Sequence, residues 1–260
     1  MGFTLVSLVI ALPLIVAGPG NDLDVGNVFR SGRAIARHLS YVPSRPPGAP
    51  VHEAIVGFLD LIGGPILTNL ASLAAAGVFV WALNSLLQRE GVGPAGRWGV
   101  ALVAANPWFI IAATSTADYV FALMFCVLAA LAIRTDRAVL AGLLAAAAMG
   151  SRVGSMTLIL ALLIAELGTG DGARRRCLTT ALVGAGATLV LFIPSVIEAG
   201  GLAFAQNDFS ASSPLVQLGR AAAKDLLLLG IPTVVVLLAT LPAAIAAIRR
   251  GESKYTAVDG

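Results

Sequence analysis

The chain has 260 residues and is short of charge, aromatics, histidine and cysteine. Charged residues supply 12%, about half the share found in an ordinary soluble domain. With 58% hydrophobic residues and a mean hydropathy of +0.90, it carries more apolar surface than one core of this length can hide. A water-soluble globular protein is therefore excluded, and so is a disordered chain. The two cysteines, Cys126 within an apolar run and Cys177 behind a basic cluster, are expected at different depths and unpaired. There is no Walker motif, no Gly-rich nucleotide loop and no zinc-ligand cluster, which disfavours ATP or nucleotide-sugar chemistry. A net charge of +3 needs no nucleic acid as partner, because membrane proteins gather Arg and Lys in their cytoplasmic loops.

What is present is apolar sequence in long, nearly continuous runs, without the dyad alternation of a membrane β-barrel. The expected fold is all-α, a polytopic transmembrane bundle of about eight spans forming a single domain over residues 1–260. The spans are read at Phe3 to Gly18, Pro65 to Leu87, Trp98 to Thr114, Ala117 to Ile133, Ala138 to Gly150, Val153 to Leu167, Leu178 to Ile197 and Leu226 to Ile248. The first lacks a basic flank and a small-x-small cleavage site, so it is expected as a retained anchor. With the N-terminus inside, ten basic residues fall on the inner side and three on the outer side beyond the first loop, which fits N-in and C-in with a cytoplasmic tail at 249–260. The fifth span would rise only about 20 Å against a hydrocarbon core of about 30 Å. The alternative is one long tilted helix over 138–167, which would move Arg174, Arg175 and Arg176 outside, against the charge rule.

Residues 19–64 form the one large polar loop, expected on the outer side although it holds Arg30, Arg33, Arg37 and Arg45. Val25, Phe29, Ile35 or Ala36, and Leu39 recur at helical spacing, and the first three arginines follow i, i+3, i+7 on one stripe. This predicts an amphipathic helix lying on the bilayer. Tyr41 to Pro50 is too rich in proline to be helical and reads as a rigid crossing. Val51, Ile55, Leu59 and Ile62 then predict a second surface helix, with His52, Glu53 and Asp60 off its apolar stripe. Acidic and basic groups thus meet at one interface: guanidiniums suit phosphate, and a carboxylate can take a proton from an attacking hydroxyl. The plainer reading is a structural cap with its arginines on lipid headgroups.

The pattern Asp24-x-x-Asn27 through Tyr41-x-x-Ser-Arg-Pro-Pro-Gly-x-Pro50 resembles the first loop of the GT-C membrane glycosyltransferases, the superfamily of the protein O-mannosyltransferases and the lipid A aminoarabinose transferase. Asn106-Pro107, Ser115-Thr-Ala-Asp118-Tyr119 and Ala141-Gly-Leu-Leu to Gly150-Ser-Arg152 resemble the third-to-sixth-span region of that family. The resemblance covers residues 1 to about 195, and the chain is shorter than many relatives, as a compact core, a truncated member or one part of a split enzyme would be. It implies transfer of a sugar from a polyprenyl-phosphate donor to an acceptor hydroxyl at the extracytoplasmic face of the cell membrane. It implies Asp24 or Asp22 as base or acceptor-orienting group and Asp118 as a further functional acid. It implies Arg45, Arg152, Arg30, Arg33, Arg37, Tyr41 and Glu53 on the substrate and lipid-phosphate side. The bland alternatives are helix N-caps for Asp24 and Asp118 and a snorkelling turn arginine for Arg152. Some relatives bind a divalent metal near this place, but His52 and Glu53 are adjacent on a helix and make a poor chelate, so no metal or other cofactor is assigned. Gly184 and Gly186 read as helix packing, and Trp81, Trp98 and Trp108 as interface anchors or packing. The competing class is a non-enzymatic membrane protein, such as a transporter, flippase or assembly subunit, or an inactive truncated relative. Transporters tend to carry internal repeats, and no convincing repeat is present.

Overall fold

A computed structural model of the chain describes residues 9–20, 23–170 and 172–201, with Val216, Gly219 and Pro242 beyond them. Asp22, the start of the first span, the eighth span apart from Pro242, and the tail at 249–260 lie outside the described residues. Two compact units divide after Gln206, and all the helices from Leu12 to Glu198 belong to the first.

Regular structure among the described residues is wholly helical. A short 3-10 helix, Leu12–Ala17, leads into α1 (Leu23–His38), α2 (Pro50–Arg89), α3 (Pro94–Ala104), α4 (Pro107–Thr114), α5 (Asp118–Arg134), α6 (Ala138–Ser151), α7 (Met156–Leu167) and α8 (Ala173–Glu198). α2 and α8 are each long and apolar enough to cross a membrane, and α4 with α5 makes a third crossing if the bent pair is one span.

Four boundaries differ from the sequence reading, each for a local reason. The described end of the first span is 3-10 rather than α: Pro13 sits in its first turn, and the Asn69 amide donates to Ile15 O at 2.9 Å and Gly18 O at 2.8 Å. The third span is two helices, because Pro107 cannot continue α3 and Asn106 caps α4, its Oδ1 accepting from the Trp108 and Phe109 N–H groups at 2.9 and 3.4 Å. α4 then meets α5 at 102° across Ser115-Thr116-Ala117. α8 begins at Ala173, so Arg174, Arg175 and Arg176 form its first turn rather than a loop.

The described helices support two or three membrane crossings by length and composition, and two of the expected breaks are present. α2 breaks at Gly63-Gly64, where Gly64 takes φ +62°, ψ −159°, a conformation open to glycine alone, and Pro65 starts the second segment. The hairpin at 138–167 is broken at Arg152, which is extended (φ −156°, ψ 113°) and followed by the 3-10 turn Val153–Ser155.

α1 packs part of its apolar side on α2. Val25, Val28 and Phe29 are buried against Val56 of α2. The two backbones touch at Gly32 and Gly57: a Cβ on Gly57 would lie 2.0 Å from Gly32 O, and one on Gly32 would lie 2.7 Å from Gly57 N. α6 and α8 cross through Gly142, whose Cβ would meet Val183 Cβ at 2.7 Å, with Gly184 facing it; Gly186 meets nothing within 4 Å. The core between α2, α3, α4 and α5 is built on Ala76, Phe79, Val100, Ala104, Phe109 and Phe121, with small residues letting the helices approach closely. Trp81, Trp98 and Trp108 are exposed, as are many large aliphatics, so much of the outer surface is apolar.

Candidate functional site

Four segments far apart in sequence deliver charge to one place. Asp24 comes from the first turn of α1, Arg45 from the Pro-rich crossing, Asp118 from the first residue of α5 and Arg152 from the break between α6 and α7. Arg45 Nη1 donates to Asp24 Oδ2 and its Nη2 to Asp118 Oδ2. Arg152 Nη1 donates to Asp118 Oδ1 at 3.0 Å and Oδ2 at 3.2 Å, and its guanidinium lies over the Tyr119 ring, 4.0 Å from the centroid. Asp118 is therefore the pivot, with a side chain 5% exposed, whereas that of Asp24 is 46% exposed. Burial works against the Arg45 charge, but Asp118 and Asp24 more than offset it and raise its pKa above the ordinary value.

Each member is held by ordinary chemistry. Asp118 opens α5, where the helix dipole favours a negative charge, and the cap position before it is Ala117. The turn carrying Asp118 is moored on α2: Thr116 Oγ1 donates to Asn69 Oδ1 at 3.0 Å and shares a hydrogen bond with Thr68 Oγ1 at 2.7 Å, while the Thr116 N–H donates to Pro19 O at 2.9 Å. Asn69 also holds the carbonyls ahead of α1, so one buried amide ties the Asp24 side to the Asp118 side. The loop bearing Arg45 is stapled by Glu53, whose Oε1 accepts from the Ser44 N–H at 3.0 Å and the Ala49 N–H at 3.3 Å.

Of the expected site residues, Asp24, Arg45, Asp118 and Arg152 converge. Glu53 is fully buried and serves the loop rather than an open pocket. Tyr41 packs beside it, its hydroxyl close to Ser195 and Gly48, and burial followed by the Glu53 charge raises its pKa well above the ordinary tyrosine value. The arginine stripe does not join as a unit. Arg33 is engaged by Asp60 through Nε at 2.6 Å and Nη2 at 3.3 Å, which raises its pKa, and Arg30 and Arg37 stay exposed. His52 and Glu53 diverge, the His52 ring packing on Phe121 with centroids 5.2 Å apart. Sequence reasoning missed Thr68, Asn69 and Thr116. The available signal was two polar residues inside an apolar helical stretch, Thr68 and Asn69, and a third, Thr116, in the turn between two apolar runs, where an unpaired amide or hydroxyl is costly.

The recess bounded by Asp24, Arg45, Asp118 and Tyr119 holds about 20 Å³, room for a water molecule. A second cavity of about 400 Å³ lies between α6, α7 and α8, lined by Met149, Met156, Ile159, Leu163, Ala185 and Leu189 among others. Its Met149 and Met156 flank Arg152 in sequence, three residues before it and four after. No family model, no curated protein and no solved structure matches this chain.

Proposed function

We propose that this protein is a membrane glycosyltransferase of the GT-C kind, moving a sugar from a polyprenyl-phosphate donor to an acceptor hydroxyl at the extracytoplasmic face of the cell membrane. The observation that carries the proposal is the meeting of two carboxylates and two guanidiniums from four separate segments at one end of an apolar helical bundle. In the proposed reaction the acceptor oxygen bonds to the anomeric carbon and its proton passes to Asp24. The bond from that carbon to the phosphate oxygen breaks, and its electron pair leaves with the lipid phosphate. Arg45 and Arg152 stabilise that departing charge, while Asp118 fixes their spacing. The apolar cavity between α6, α7 and α8, lined in part by Met149 and Met156 on either side of Arg152 in the sequence, suits the hydrocarbon chain of the carrier.

The test is incubation of the full chain in lipid with a panel of radiolabelled polyprenyl-phosphate sugars. A labelled product from the wild type, lost in the variant carrying both Asp22→Asn and Asp24→Asn with an unchanged melting temperature, is the expected result. Full activity in that variant would refute the role of the acids. The 102° bend between α4 and α5 and the α3–α4 break favour a second reading, because broken helices also mark transporters. Under it, radiolabelled polyprenyl-phosphate sugar would move between leaflets of proteoliposomes without any covalent product.

A further inference from the structure

We infer that Glu53, Tyr41, Ser44 and Ser195 form a binding site for a monovalent cation of sodium's size, set behind the loop that carries Arg45. The donors come from three segments: Tyr41 and Ser44 from the Pro-rich crossing, Glu53 from the first turn of α2 and Ser195 from α8. Glu53 and Ser195 are fully buried, and Ser44 nearly so. Among the described residues Glu53 makes no ion pair. Its Oε1 accepts from two backbone N–H groups, but its Oε2 is buried without a hydrogen-bond partner. The Tyr41, Ser44 and Ser195 hydroxyls are buried in the same condition. Each such oxygen is costly, and a buried charge is ordinarily paired or bound to a metal ion.

The four oxygens converge. Tyr41 OH and Ser195 Oγ lie 2.2 and 3.2 Å from one point, the position a Cβ on Gly48 would take. Gly48, at φ +99°, is what leaves that point free. The Tyr41 hydroxyl interacts with both Glu53 and Ser195, yet meets neither at hydrogen-bond distance. The Ser44 hydroxyl is three bonds from the nitrogen that donates to Glu53 at 3.0 Å. Oxygens facing one another from just beyond hydrogen-bond range are spaced as ligands of a shared ion. With bonds of about 2.3–2.6 Å, donors around an ion of calcium's size stand about 3.3–5 Å apart. Sodium has that size and half the charge. One carboxylate balances a single positive charge, whereas calcium sites gather several. Among the described residues no three His, Cys, Asp or Glu side chains gather as a metal site, and hydroxyls are poor ligands for zinc. His52 takes no part, its ring being turned onto Phe121. An ion here ties the crossing to α2 and α8, and so holds the loop that presents Arg45, whichever reaction that charge cluster serves.

The experiment is equilibrium binding of radioactive sodium to the full chain in nanodiscs, with Tm measured in sodium, calcium and choline chlorides at one ionic strength. Wild type is expected to bind sodium saturably. Its Tm should stand about 4 °C higher in sodium at ten times the Kd than in choline. Glu53→Gln keeps an oxygen for the Ser44 and Ala49 N–H groups but removes the charge, so its Tm should be the same in sodium and choline. Ser195→Ala leaves that staple intact and deletes one ligand, and should bind sodium on the order of ten-fold more weakly. Ser85→Ala is the control, its hydroxyl donating to Trp81 O elsewhere on α2, and should bind within two-fold of wild type. Equal Tm in sodium and choline without saturable binding would mean that water alone satisfies these oxygens, and would overturn the inference. Wild-type sodium affinity in both Glu53→Gln and Ser195→Ala would place the ion elsewhere and overturn it too. Calcium displacing sodium at far lower concentration would overturn the monovalent assignment. If Glu53→Gln fails to fold, Ser195→Ala decides alone, and wild-type affinity in that variant refutes the site.

Discussion

Asn69 lies within the long helix α2, fully buried, with its amide nitrogen on two carbonyls ahead of α1 and its oxygen on Thr116. Replacing it by Leu keeps the volume but leaves Ile15 O and Gly18 O without their donor and the Thr116 hydroxyl with Thr68 Oγ1 alone. Each stranded group costs about 1–3 kcal/mol, so Asn69→Leu is expected to cost about 3 kcal/mol, read as a fall in Tm in detergent. It should also loosen Asp24 and Asp118 together and lower sugar transfer by more than its effect on Tm explains. Tyr41 gives a pH signature at the same scale. Its pKa in the folded chain is raised above the unfolded value of about 10. A raised acid favours its neutral form on folding, so its contribution is complete below pH about 10 and is lost as pH climbs above that value. Tyr41→Phe should flatten the fall in Tm between pH 9 and 11 relative to wild type; equal slopes would dismiss the burial of its hydroxyl as the cause.

At the scale of helices, the α1–α2 crossing is backbone on backbone. A methyl group on Gly57 would sit 2.0 Å from Gly32 O, with no flexible side chain to give way. Gly57→Ala is expected to cost about 1–3 kcal/mol and to break the Arg33–Asp60 pair that bridges the same two helices. Gly26→Ala on α1 is the control: nothing lies within 4 Å, so the helix should gain about 0.5–1 kcal/mol. Equal Tm shifts in the two variants would contradict the crossing. The sequence revealed such elements wherever a local rule decides. Arg33 and Arg37 followed the helical stripe, the Pro-rich crossing was evident, and Gly63-Gly64-Pro65 announced a break. It misread the elements whose state depends on distant partners. Leu12–Ala17 looks like span and is drawn into a tighter helix by Asn69, fifty residues on. The site was legible as a set of types and loops, since Asp24, Arg45, Asp118 and Arg152 each follow a turn signal. Its wiring was not: Arg45 bonding two acids 21 and 73 residues away is a tertiary fact.

Across the described bundle, an ion-pair network lies at each end of α5. Asp118 opens that helix and Arg134 closes it, about 24 Å apart for 17 residues at 1.5 Å each. At the Arg134 end, Glu166 of α7 is 1% exposed and accepts from Arg134 Nη1 at 2.8 Å, Arg176 Nε at 2.8 Å and Thr169 Oγ1 at 3.0 Å. Arg134 also pairs with Glu90 at 2.9 Å, so the network spans α2, α5, α7 and α8. The two ends differ in kind. Glu166 has both carboxylate oxygens bonded within the protein, and its partners Arg134 and Arg176 are largely buried, which is the mark of a clasp. At the Asp118 end Asp24 is half-exposed and Arg152 has donors to spare, which is the mark of a site. Glu166→Gln keeps the shape but removes the carboxylate charge that Arg134 and Arg176 share, leaving Arg134 with Glu90, at an expected cost of about 3 kcal/mol. Because the network is buried, that loss should change little between low and high salt. The variant should lower Tm yet leave farnesyl phosphate binding within two-fold of wild type, since a screened charge about 24 Å away contributes little. Measuring both quantities on the same nanodisc sample separates the roles. A Glu166→Gln variant that kept its Tm but lost the anion would mean the two ends are coupled through α5, and the division into clasp and site would have to be abandoned.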